Sequence, residues 1–204
     1  MSAGIRKDII TFSGRYFDFT NISQNKIEIV DIAKGLSNVC RFAGQCDRFY
    51  SVAEHSVLVS RIVERAGRSW RVVFAALMHD ASEALLGDIT SPLKSLLPEY
   101  VVIESEVQTY LIDRLAPLAI TDHPFIRVAD LIALAVEQRD VMHNTDVWGA
   151  LTGTYGNELI AQFNIHESLM PEGAYELFLN RYTECLVNSG RNAPQAFLPL
   201  GEAR

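Results

Sequence analysis

The chain has 204 residues, 49% of them hydrophobic, enough for one domain with a sizeable core. Its net charge of −7 excludes a surface built to coat nucleic acid, and any anionic substrate must be held by local positive charge. No apolar run approaches the ~18 residues that cross a bilayer, no secretory h-region opens the chain, and Cys40, Cys46 and Cys185 have neither metal nor CxxC spacing. The expected setting is a reducing cytoplasm, with no membrane and no nucleic-acid partner.

In chain order, Ile9 to Phe19 reads as a short hairpin turning at Ser13-Gly14, although an extended arm fits the same residues. Asp31 is the expected cap of a helix with Ile32, Leu36 and Val39 on one face, and Gly44 and Asp47 mark the loop after it. Ser51-Val-Ala-Glu54 is a capping box ahead of an apolar run. On that helix His55 shares a face with Leu58, Val59 and Ile62, so it points inward, as a ligand or as a hydrogen-bonded core residue. Gly67 ends the helix.

The stretch Val72 to Asp88, VVFAALMHDASEALLGD, runs an apolar segment straight into His79-Asp80. The expectation is one helix, capped by Ser69 and stopped by Gly87. On a helical period Glu83 then lies one turn beyond both His79 and Asp80, crowding an imidazole and two carboxylates at one end. Metal binding explains this, and so does a buried ion pair, because an unpaired Asp is costly to bury.

Ser91-Pro92 begins a turn or short helix carrying Lys94, and Pro98 begins a longer helix with Ile103, Val107, Tyr110, Leu111 and Leu115 on one side. Asp122-His-Pro124 starts a helix running to about Met142, whose inward face carries Ile126, Ala133, Leu134 and, among them, Asp130. An Asp on that face needs a partner. Residues 143–170 read as mostly loop, Pro171 opens a last helix with Tyr175, Phe178, Leu179 and Tyr182, and the tail after Asn188 is expected to be mobile. The predicted class is all-α, a compact helical bundle with a possible short N-terminal β-hairpin. Residues 1–204 form one domain, with a core over about 28–187, an arm or hairpin over 1–27 and a tail over 188–204.

Taken together, His55, His79, Asp80 and Asp130 form a His2Asp2 set drawn from three helices, a sensible way to hold a divalent ion in a bundle core. Two imidazoles and two carboxylates without a thiolate favour Mn, Co, Fe, Ni, Zn or Mg. Here the sequence resembles the HD-domain metal-dependent phosphohydrolases, whose signature is His, then His-Asp, then Asp. Within them it looks most like the group containing the bacterial 5′-deoxynucleotidases. Arg41-Phe42 stands fourteen positions before His55, where those enzymes carry Arg-Trp. HDASE…GD from His79 to Asp88, Ser91-Pro-Leu-Lys94, and RVADLIALAVEQRDVM from Arg127 to Met142 match that group's further motifs. FSGRYFDF, CRF…RFYSVAEHS and the Trp148…Pro171…Phe178 pattern extend the likeness to compact phage and bacterial HD proteins. Phage dATP triphosphohydrolases belong to the same superfamily.

The resemblance implies one divalent metal ion on His55, His79, Asp80 and Asp130. It implies proton transfer by Glu83, with Asp88 as a second acidic group near the substrate. Arg41 and Lys94 match phosphate-contacting positions, and Phe42 packs where Trp is thought to exclude a ribose 2′-hydroxyl. Read from the residues alone, Glu83 is also a helix salt-bridge partner, Asp88 a cap, and Arg41 and Lys94 solvated charges. The implied activity is hydrolysis of a deoxynucleotide phosphate ester or anhydride by a homo-oligomer, cytoplasmic in a bacterium or a phage host. A metal- or nucleotide-binding regulatory protein without turnover is the alternative.

Overall fold

The computed structural model describes residues 6–144, 146, 148–151 and 157–190. The order is β1 (Asp8–Ile10), β2 (Tyr16–Asp18), α1 (Ile29–Asn38), α2 (Val52–Arg65), α3 (Trp70–Leu77), α4 (Glu83–Leu86), α5 (Ser91–Lys94), α6 (Pro98–Leu115), α7 (Phe125–Val141), α8 (Asn157–Ile160) and α9 (Pro171–Asn188). Among the described residues it is an all-α architecture with one small antiparallel sheet, and no helix there is long and apolar enough to cross a membrane.

The sheet is the expected hairpin, with Ile9 opposite Phe17 and the turn closed by Gly14 at φ +80°. Phe17 is fully buried, edge-on to Phe19 and Tyr110, so the hairpin is docked rather than free. Its turn is tied to α1 by Asp31, whose carboxylate accepts from the Ser13 amide at 2.6 Å, the Ser13 hydroxyl at 3.1 Å and the Glu28 amide at 3.0 Å. Asp31 is therefore not the cap residue. Glu28 is, and Asp31 reaches back to it from the first turn.

Helix α2 is the axis of the bundle. Ser51 Oγ accepts from the Glu54 amide at 3.2 Å while Glu54 Oε2 accepts from the Ser51 amide at 3.0 Å, the reciprocal pair read from the sequence. Buried residues follow on almost every side of α2, which packs against α1, α3, α7 and α9. A helix wrapped this way can deliver a polar side chain such as His55 to the centre of the molecule.

Between Val72 and Asp88 the structure departs from the single predicted helix. Helix α3 ends at Leu77, residues 78–82 turn, and α4 resumes at Glu83 before Gly87 stops it at φ +82°. The cause lies on α6. Gln108 donates its amide to Met78 O at 2.7 Å and accepts from Ser82 N at 2.9 Å, occupying both members of the i→i−4 bond that a continuous helix would make there. His79 and Asp80 thus sit on a turn.

Elsewhere Pro98 and Pro171 open α6 and α9 as expected. Ile103, expected on the inner side of α6, is 38% exposed, and that helix is anchored by Val107 and Leu111 instead. The expected loop over 143–170 contains α8 and a short 3-10 turn at Gly149–Leu151. Its residues 145, 147 and 152–156 lie outside the described residues, as does the expected mobile tail from 191 onward.

Candidate metal centre

Helix α2 brings His55, the turn after α3 brings His79 and Asp80, and α7 brings Asp130. His55, His79 and Asp130 each offer a donor atom, all within 4.8 Å of one another. His55 Nε2 lies 3.4 Å from His79 Nε2 and 3.3 Å from Asp130 Oδ1. Asp80 joins from the side, its Oδ2 at 3.4 Å from His55 Nε2 and 3.1 Å from His79 Nε2.

The outward nitrogens say which atoms are available. His55 Nδ1 stands 2.6 Å from Glu137 Oε1, and His79 Nδ1 stands 2.8 Å from Ala76 O. Both partners are acceptors, so each Nδ1 carries the proton and each Nε2 turns a lone pair to the centre. Two lone pairs and two carboxylates then meet with no donor among them. A cation satisfies that arrangement, and neutral imidazole with carboxylate is a donor set suited to a divalent ion. Without one, protons must serve. Burial opposes charge on both rings, and Arg41 opposes it on His55. Even so, the carboxylates around them raise the pKa of His79 above, and that of His55 well above, the usual imidazole value. Burial also works against charge on Asp80 and Asp130, yet the two imidazoles hold both carboxyls below their ordinary range.

Behind His55 lies a residue that the motif reading did not single out. Glu137 is fully buried and bridges His55 to Arg41, whose Nη2 is 3.1 Å from Glu137 Oε2. Burial opposes its charge, but Arg41 and His55 keep its pKa below the usual value. The signal was present, since Glu137 falls seven residues after Asp130 on one face of α7. Arg41 also approaches Asp88, Nη1 to Oδ2 at 3.7 Å, and its Nε is buried without a hydrogen-bond partner.

A cavity of about 700 Å³ opens from this centre, lined by Arg41, Phe42, Asp80, Glu83, Asp88, Lys94, Asp130 and Trp148 among others. Every expected substrate-side residue is therefore on its wall. Glu83 is 4% exposed and its Oε2 is buried with no partner, an orphan acceptor or a held proton. Burial, then Asp80 and Asp88, push its carboxyl far above the ordinary range, against the pull of Arg41 and His55. Lys94 is at the rim but already paired with Glu104 at 2.7 Å.

Phe42 reaches the wall through unusual backbone. The bridge between Cys40 and Ser51 and the Arg41 amide on Tyr50 O at 2.9 Å fix the entry, and Phe42 and Ala43 then turn left-handed at φ 55° and 52°. For non-glycine residues that costs about 1–2 kcal/mol each. The turn sets the Phe42 ring 5.1 Å from Arg41 Cζ and 6.1 Å from the Trp148 ring centre.

Fold and centre together define a helical protein with a part-buried His/Asp group able to hold a metal ion. No family model matches the chain. It is 40% identical over 177 residues, 86% of this chain and 94% of the relative, to the uncharacterized protein YfdR of Escherichia coli strain K12. It is 37% identical over 139 residues, 63% of this chain and 70% of the relative, to an uncharacterized protein of Rhodobacter capsulatus. The chain belongs to the same family as YfdR.

Proposed function

We propose that the chain is an HD-type metal-dependent phosphohydrolase acting on deoxynucleotides, as a dNMP 5′-nucleotidase or a dNTP triphosphohydrolase, with dAMP or dATP the preferred class. The observation that carries this reading is the pair of Nε2 lone pairs at 3.4 Å, facing Asp80 and Asp130 at the head of a cavity walled by Arg41. A divalent ion bound there supplies Lewis acidity toward phosphoryl oxygens and toward water.

The chain's own residues do the rest. Arg41, with an uncommitted Nε, meets phosphate charge that the surrounding carboxylates would otherwise repel. Glu83, dry and unpartnered at Oε2, holds a proton next to Asp80 and can exchange it with water or with a leaving oxygen. Asp88, paired loosely with Arg41, is placed to accept from the sugar or to share that proton traffic. Phe42 lies beside the guanidinium and packs on the sugar. A 2′-hydroxyl against that ring lacks a hydrogen-bond partner, a penalty of about 1–3 kcal/mol.

The test is a panel of nucleoside mono-, di- and triphosphates, deoxy and ribo, with Mn, Co, Mg or Zn, scored separately for phosphate, pyrophosphate and triphosphate. The expected result is metal-dependent release from deoxynucleotides, with the deoxy preference reduced in Phe42→Ala. No product from any nucleotide with any metal would overturn the reading.

A further inference from the structure

We propose that Trp148 is the stacking platform for the nucleobase, beside Phe42 under the sugar, an inference that rests on the nucleotide reading of the cavity. The two rings lie 6.1 Å apart at 57°, so a flat group can lie on one face and meet the edge of the other. Neither ring belongs to the hydrophobic core, and both line the cavity. Packing the interior is therefore not their role.

The wall is graded. Asp80, Asp130 and Arg41 gather at the metal end, Arg41 Cζ is 5.1 Å from the Phe42 ring, and the Phe42 ring centre is 6.1 Å from that of Trp148, with Leu134 and Pro92 on the same lining. A ligand with its phosphate at Arg41 and its sugar on Phe42 puts its base at Trp148. The volume of about 700 Å³ falls within the range of small-molecule sites. Base–aromatic stacking is sequence-tolerant and worth about ten-fold or more in affinity per base.

The chain has two tryptophans, and Trp70 is turned instead to Arg181, whose Cζ is 5.4 Å from its ring. In a Trp70→Phe protein loaded with Mn, fluorescence therefore reports Trp148. Before turnover, dAMP should quench it and deoxyribose 5-phosphate should not. Trp148→Ala should weaken dAMP binding by about ten-fold, while Trp148→Phe stays within about three-fold of wild type. If dAMP is bound or hydrolysed but leaves the fluorescence unchanged, or deoxyribose 5-phosphate quenches equally, the subsite is wrong and the phosphohydrolase reading stands. If neither dAMP nor dATP is bound in equilibrium dialysis or hydrolysed, the nucleotide reading fails and the subsite with it.

Discussion

Glu137 Oε1 lies 2.6 Å from His55 Nδ1 at the buried centre of the bundle. That contact sets the tautomer of His55 and, through Oε2, holds Arg41 at the cavity wall. One carboxylate thus orients both an imidazole of the candidate metal centre and the guanidinium on the cavity wall. Glu137→Gln keeps an acceptor but loses the charge, and should weaken metal binding by about 10- to 100-fold. Glu137→Ala strands Arg41 and should also cost about 3–5 kcal/mol of stability. Metal titration and urea unfolding of the two variants separate the effects.

In the proposed mechanism Glu83 transfers a proton and does not hold the ion. Glu83→Gln replaces a carboxyl with a neutral group of nearly the same shape, and should remove turnover while leaving metal content close to wild type. Metal loss as complete as in Asp80→Ala would place Glu83 among the ligands instead.

Gly35 on α1 is where α4 comes closest. A Cβ there would lie 2.5 Å from Ala84 O and 2.7 Å from Ala84 Cβ. Gly35→Ala should destabilise the protein by about 1–3 kcal/mol. Because Ala84 follows Glu83 directly, activity per folded molecule should fall too, as read by activity normalised to circular dichroism. Full activity with full stability would mean that α4 shifts freely.

Much of this architecture was legible in the sequence, because it is local. The Ser51–Glu54 box, the prolines opening α6 and α9 and the inward placement of His55 depend on residues a few positions apart. The break after Leu77 was not legible. It is made by Gln108, on another helix, which takes the hydrogen bonds of Met78 and Ser82. Nor was the left-handed turn at Phe42-Ala43, since neither residue is a glycine and the conformation is held by the surrounding bridge. Glu137 was visible as a charge on the Asp130 face. Its partner Arg41 is 96 positions away and met it only on folding.

Metal affinity should depend on pH with a definite sign. Both imidazoles have raised pKa values in the metal-free protein, so they hold protons on Nε2 to higher pH than free imidazole does. An ion must displace those protons. Affinity should rise as pH increases and level off only above the ordinary imidazole value. A calorimetric titration at several pH values should show proton release on binding. Affinity independent of pH would contradict the placing of protons on Nε2 in the metal-free protein.

The most direct test of the account is the metal content of the purified protein, wild type against His55→Ala, by elemental analysis after incubation with Mn, Co or Zn and desalting. The account predicts close to one divalent ion per chain in wild type, none in His55→Ala, and loss of the ion and of hydrolysis together on chelation. Wild-type protein that holds no ion, or that hydrolyses nucleotides fully when metal-free, would contradict it.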